Sequence, residues 1–348
     1  MRRHFCIAGI SMKDVIKTAV TAGVILLLLF FLQRLLMPKY MEGITEGAFI
    51  AEYYGEEKNH DVIVLGDCEV YENISPAVLW RDFGIHAYIR GSAQQTMWQS
   101  YYLLRETLTY ETPKAVVLSV FAMQYDTPQN EAYNRMTLDG MRWSADKIDA
   151  VRASMLPEEE FIEYVFPLLR FHERWKELEA QDIRYLFQKR KVTHNGFVPH
   201  TGVMPSGELP APAQLTRERF GENAMLYLER IRVLCEENNI PLILLKAPSL
   251  WPHWYDEWDA QIAAYADAHD LAYYNFLSLQ EEIGLDFSTD TYDAGLHLNV
   301  YGAEKCATYL GGILQRDFGL ADRRGEEPLS SVWEEKLEEY DRATETTP

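Results

Sequence analysis

The sequence predicts a three-layer α/β/α domain around a mostly parallel five-stranded sheet, carried on one N-terminal transmembrane helix. Three observations predict it. Short apolar runs alternate with segments of helical period, as in a parallel sheet covered on both faces. Sixteen uncharged residues lie between Lys17 and Arg34. The 348 residues are 47% hydrophobic and 25% charged, the balance of a folded globular chain.

Residues 1–17 read as a cytoplasmic basic N-terminus and 18–37 as a membrane anchor. Counted on to Met37, with Arg34 reaching back to the boundary, the stretch is about 20 residues, or roughly 30 Å of helix, enough to cross a bilayer. Arg2, Arg3, Lys13 and Lys17 precede it, and acids dominate after Lys39. The positive-inside rule then places the N-terminus in the cytoplasm and the main domain outside, on a single-pass cell-membrane protein. A cleaved signal peptide is the competing reading, but no small-x-small site follows Leu32, where QRLLMPK stands instead.

Residues 38–59 read as a juxtamembrane linker and 60–320 as the α/β domain. DVIVL at 61–65 reads as a buried first strand, ended by Gly66. Residues 76–83 read as a short helix, with Ser75 as N-cap and Pro76 at its first position. HAYIR at 86–90 is a second strand, ended by Gly91. Residues 96–108 have helical spacing in Trp98, Tyr101, Tyr102 and Leu108. AVVLSVF at 115–121 is a third strand, residues 217–239 a long helix, and PLILL at 241–245 a fourth strand. A helix at 256–269 leads to a fifth strand, AYYNF at 272–276, and residues 303–318 form the closing helix. Residues 126–215 break the alternation. Helical segments at 146–155 and 158–179 and a Gly/Pro-rich stretch at 193–212 read together as an insertion capping the sheet. Residues 321–348 read as a polar acidic tail, partly disordered, with a short helix at 333–340.

The chain carries 33 basic and 53 acidic residues, net −20. Residues 1–39 hold six of the basic residues and one acid, leaving 27 against 52 for the remainder. A body this acidic repels phosphate backbones, which argues against nucleic acid as a partner. The four cysteines include no Cys-x-x-Cys, so neither a disulfide scaffold nor a zinc site is expected. No cofactor is implied. Cys235 and Cys306 fall in helical patterns and read as buried apolar residues. The 8 Trp, 21 Tyr and 15 Phe serve packing first, with stacking on sugar rings as a second use.

In open α/β sheets, ligands bind beyond the carboxyl ends of the strands. The first strand runs into Gly66-Asp67-Cys68-Glu69, and far downstream stands DTYDAGLHLNVYGA at 290–303. These two blocks resemble the SGNH/GDSL hydrolase superfamily, particularly membrane-anchored bacterial members related to surface-polymer O-acyl-transfer proteins. The first family block is Gly-Asp-Ser after strand one; the last is Asp-x-x-His before the final helix. The resemblance spans about residues 60–318 and implies a flavodoxin-like sheet. It implies a nucleophile at position 68, where this chain has Cys for Ser, with His297 as base, Asp293 as orienting acid, and Gly91 in the oxyanion hole. Asp293 and His297 are four apart, one more than the family spacing, so Asp290 is a rival acid. The family's Gly-x-Asn-Asp block after strand three is missing, and Gln124 is the substitute for its amide.

The chemistry has its own logic. A nucleophile where a strand enters a helix is exposed and lies near helix N–H groups, which favour thiolate and oxyanion. A histidine oriented by a carboxylate supplies the base. The resemblance implies an ester hydrolase or O-acyl(acetyl)transferase acting on a cell-surface glycan or acylated polymer. The alternative is a non-catalytic relative that binds glycan or docks on a membrane-bound acyltransferase, which Cys for Ser and the lost Asn block favour. Asn299 is expected to cap the closing helix. The segment following strand four, from Lys246 through Ser249 to Trp251, is expected to border the cleft.

Overall fold

The computed structural model describes residues 11–38, 48–187, 191–209, 211–215 and 217–345. Arg2, Arg3, Cys6 and Lys39 lie outside the described residues. The chain falls into two compact units, one of residues 1–39 with 160–190, the other of residues 40–159 with 191–348.

The larger unit is built on five parallel strands: β1 (Val62–Gly66), β2 (Ala87–Gly91), β3 (Ala115–Ser119), β4 (Leu242–Lys246) and β5 (Ala272–Asn275). Their order is β2-β1-β3-β4-β5. The chain therefore reverses its direction of travel across the sheet at β1, and the crevice between the ends of β1 and β3 is the topological switch point. Val62, Val64, Ala87, Ile89, Val117 and Leu245 turn to one face. There they pack with Val78 and Leu79 of helix Pro76–Phe83 and Ala303, Cys306 and Leu310 of helix Val300–Arg316. Helices Met97–Thr107, Ala145–Ser154 and Glu222–Glu237 pack together beside the other face. Both faces are covered, so β1 to β4 are buried throughout.

Several boundaries move for local reasons. Ser75 occupies the N-cap position, but its hydroxyl donates to Tyr340 Oη at 3.2 Å instead of capping. The helix expected at 217–239 begins only at Glu222. Asp126 Oδ1 accepts from the backbone N–H groups of Asn223 and Ala224 at 2.8 and 3.2 Å, which fixes its first turn there. The closing helix starts earlier than expected, at Val300, because Asn299 Oδ1 caps the N–H groups of Tyr301 and Gly302.

Residues 126–215, read as one insertion, divide between the two units. The helix expected at 158–179 is broken into Phe161–Val165, Leu168–Phe171 and a 3₁₀ turn at His172–Glu177. Pro167 lacks an amide donor and cannot continue a helix from before it. The tail is also different from its composition. Leu329–Thr344 is a 16-residue helix with Leu329, Trp333 and Tyr340 buried. Trp333 stacks on Trp80 with centroids 5.3 Å apart, and Tyr340 Oη donates to Glu304 at 2.9 Å. Three large side chains at a helical period bury enough apolar area to order an otherwise acidic segment.

In the smaller unit, helix Met12–Leu36 has a mean hydropathy of 2.5 over its most apolar window and is long and apolar enough to cross a membrane. Ser11 Oγ caps it by accepting from Lys13 N at 3.2 Å.

Candidate active site

β1 ends on Gly66, and β2 on Gly91 directly opposite in register. A Cβ on Gly91 would stand 2.9 Å from the Gly66 carbonyl oxygen, and one on Gly66 would stand 2.5 Å from Ser119 Cβ. Both strand ends therefore need glycine to come this close. Asp67 follows as the N-cap of a one-turn helix, Cys68–Tyr71, its Oδ1 accepting from Glu69 N at 3.1 Å. Cys68 is the first residue of that turn and is half-buried.

The histidine loop is held from within and from outside. Thr291 Oγ1 donates to the His297 carbonyl at 2.7 Å and accepts from Gly295 N at 2.8 Å. Ala294 and Gly295 adopt positive φ, which turns the chain back so that Thr291 pairs with Leu298. Asp293 grips His297 twice. Its Oδ1 accepts from the His297 backbone N–H at 2.8 Å, and its Oδ2 lies 2.7 Å from Nδ1. That contact holds the Nδ1 proton and directs Nε2 away as the basic nitrogen. His297 is 8% exposed, and Nε2 has no hydrogen-bond partner among the described residues. Asp290, the rival acid, is occupied instead by Lys305 Nζ and Asp286 N at 2.6 and 2.8 Å.

Glu72, Asn73 and Tyr292, not singled out in the sequence, join the two halves together with His200. Glu72 Oε2 stands 3.3 Å from His297 Nδ1 and accepts from the Tyr292 hydroxyl. His200 stacks on Tyr292 at 3.9 Å. Asn73 is fully buried; its Oδ1 accepts from Leu298 N at 2.9 Å and its Nδ2 donates to the Pro248 carbonyl at 3.2 Å. Thus the residues following Cys68 are bonded to the loop bearing His297 and to the segment following β4. Spacing offered one signal for Glu72, since four residues from Cys68 is one helical turn. From the last residue of β4, Lys246 Nζ donates to Glu69 Oε1 at 2.6 Å, and from the segment beyond it Ser249 Oγ donates to the same oxygen.

Gln124 ends a 3₁₀ turn, Phe121–Gln124, beyond β3. Its amide nitrogen donates to the Phe121 carbonyl at 3.1 Å, within its own turn. It also lines an open groove of about 570 Å³ with Trp251, Tyr255 and Trp258. No group of three or more His, Cys, Asp or Glu with metal-binding geometry occurs among the described residues.

The electrostatics run against a ready thiolate. Burial raises the Cys68 pKa, and the charges of Asp67, Glu72 and Glu69 raise it further. A one-turn helix supplies too few aligned dipoles to reverse that. Burial opposes protonation of His297, but the Asp293 hydrogen bond and the charges of Glu72, Asp293 and Asp67 outweigh it, and its pKa is raised. Burial raises Glu72 as well, with His297 opposing. Among these carboxylates the arrangement favours the protonated thiol over the thiolate. Cys68 should therefore alkylate slowly with iodoacetamide at pH 7 and faster as pH rises, yet ahead of Cys235, which is buried and pushed up to about 12. Glu72→Gln should speed the neutral reaction. Mass-spectrometric labelling at pH 7 as fast as that of an ordinary exposed thiol would show that the carboxylates do not govern this sulfur.

No family model matches the chain, and no curated protein sequence matches it. Among solved structures, the chain is similar to a GDSL-like lipase from Bacteroides thetaiotaomicron, at 13% identity and TM-score 0.37, covering 78% of this chain and all of the other. It is also similar to a protein assigned as an acylhydrolase from Bacteroides fragilis, at 13% identity and TM-score 0.38, covering 77% and 95%.

Proposed function

We propose that the chain is a membrane-anchored, extracytoplasmic ester-bond enzyme of SGNH type, a hydrolase or O-acyltransferase acting on an acylated cell-surface glycan or polymer. The observation that carries this reading is the Asp293–His297 pair, with Nδ1 held at 2.7 Å and the buried Nε2 unpartnered. Buried His60 also holds a carboxylate at Nδ1 with Nε2 unpartnered, and what sets His297 apart is that its loop is bonded to the residues following the turn that opens with Cys68, where a general base could reach a reacting proton.

In the proposed reaction, neutral His297 takes the Cys68 proton through Nε2, and the sulfur attacks the ester carbonyl. The oxyanion is held by the backbone N–H groups of Cys68 and Gly91. Gln124 joins them only if its amide leaves the Phe121 carbonyl. Protonated His297 then donates to the leaving alcohol, and a thioester remains. Water, or the hydroxyl of an acceptor, attacks the thioester to regenerate the thiol. Asp293 orients the ring throughout. The test is release of nitrophenol from nitrophenyl acetate, and of acetate from acetylated glycans, by the full chain in lipid nanodiscs. An absence of turnover on both across neutral and alkaline pH counts against catalysis.

A second reading has its own support. The carboxylates of Asp67, Glu69 and Glu72 around Cys68 disfavour the thiolate. A binding-only protein, holding glycan or docking on a membrane-bound acyltransferase, needs no thiolate. Glycan binding without turnover in the same assay distinguishes it. For orientation, the basic flank before the anchor supports an N-terminus inside. A reporter fused to the C-terminus should then work only outside the cytoplasm; activity inside would overturn the surface substrate.

A further inference from the structure

The segment 160–187 exposes six large apolar side chains within 28 residues. Ile162, Val165 and Leu169 are 47%, 42% and 49% exposed, Trp175 is 64%, and Ile183 and Phe187 are 55% and 80%. Ile162 and Val165 are three apart in helix Phe161–Val165, and Ile183 and Phe187 are four apart in helix Ala180–Phe187, so each pair shares one helix face. The buried member of Ala180–Phe187 is the polar Asp182, so this helix turns its apolar residues outward.

The same segment is fastened to the end of the anchor. Arg174 donates to the carbonyls of Leu36 and Met37 at 3.3 and 3.4 Å and to Asp182 Oδ1 at 2.9 Å. Helices Leu168–Phe171 and Ala180–Phe187 and the turn His172–Glu177 all contact helix Met12–Leu36. Leu36 and Met37 follow Arg34, where the uncharged run ends, which is the headgroup level of a spanning helix. The outward apolar faces are therefore carried at the boundary where tryptophan and amphipathic helices partition.

We infer that residues 160–187 form a monotopic collar around the exit of the anchor, with Ile162, Val165, Leu169, Trp175, Ile183 and Phe187 sunk into the headgroup–acyl boundary of that leaflet. The occupant of this face is phospholipid, because the face is continuous with the surface that the anchor itself gives to lipid. Residues 160–187 hold four basic and six acidic residues. The attachment is therefore apolar and does not require anionic lipid. The collar rests on the anchor part of the proposed function and not on its chemistry.

Brominated-lipid quenching of tryptophan tests it. The chain has eight Trp, with none in Met12–Leu36 and only Trp175 in this unit. The full chain is reconstituted into phosphatidylcholine vesicles whose acyl chains are brominated close to the headgroup, and flotation confirms insertion. About one eighth of the emission should be quenched, one Trp of eight, and Trp175→Phe should abolish that quenching. Such vesicles hold no second protein, so quenching there identifies lipid as the occupant. Quenching that is absent, or unchanged by Trp175→Phe, overturns the collar and leaves the face to a protein partner. A chain that fails to float overturns the collar and the anchor together. Loss of ester turnover alone touches neither.

Discussion

Ester hydrolysis should fall by about a thousandfold or more in His297→Ala, and by a similar factor in Cys68→Ala. The two should not multiply when combined, because residues acting on one proton transfer behave as a unit. Asp293→Asn should be nearly as damaging, since the amide cannot hold the Nδ1 proton against the ring. The pH profile carries an equally sharp expectation. His297 has a raised pKa, and only its neutral form accepts a proton, so turnover should climb through that value toward alkaline pH. Removing the neighbouring charge in Glu72→Gln should move the climb to lower pH. Stability has the opposite sign. A raised histidine pKa contributes stability that is complete below the unfolded value of about 6.5 and lost as pH rises through the folded value. Activity should therefore rise across the window in which the histidine's contribution to stability declines. Full activity in Cys68→Ala, with an unshifted profile in Glu72→Gln, would remove both residues from the chemistry.

The largest effect on stability is expected at Lys246. Its side chain is fully buried against Glu69, itself 2% exposed, and Nζ also donates to the Ala247 carbonyl at 2.6 Å and to Ser249 Oγ at 3.0 Å. Lys246→Met keeps much of the aliphatic volume and strands the Glu69 carboxylate in the interior. A broken buried pair costs about 3–5 kcal/mol, most of it the uncompensated charge. The double variant Lys246→Met/Glu69→Leu should recover most of that loss, because replacing both partners by apolar groups leaves nothing unpaired. Urea unfolding of the chain in nanodiscs reads both numbers. A single variant no less stable than the double would mean that the ion pair does not link β4 to the Cys68 turn as the distances indicate. Glu69 adjoins Cys68, so the double variant is also expected to lose turnover while regaining stability.

Much of the scaffold was readable residue by residue. β1, β3 and β4 are near-continuous apolar runs because they are covered on both faces, and such runs stand out in one dimension. The same holds for the apolar N-terminal helix, for Asn299 as a cap, and for the Asp293–His297 pair, where short sequence separation and complementary chemistry favour contact. The helix expected at 333–340 is present but extends over Leu329–Thr344, further than the acid-rich composition of the tail suggests. Only the packing of Trp333 on Trp80 and of Tyr340 against Phe197 shows what orders it. The amphipathic period of 158–179 favours one helix, but Pro167 divides it.

By itself, then, the sequence determined the alternation of strands and helices, the membrane-crossing length of the N-terminal helix, and the two blocks that carry the candidate chemistry. Each depends on periodicity or on neighbours within a few residues. Only the tertiary structure decided the electrostatic setting of the site. Glu72 meets His297 across 225 residues of chain, Lys246 meets Glu69 across 177, and Asn73 meets Leu298 across 225. The carboxylates around Cys68 are its own sequence neighbours, but the burial that strengthens their effect, and the distant His297 and Lys246 that pair with Glu72 and Glu69, arise only when the sheet brings its strand ends together.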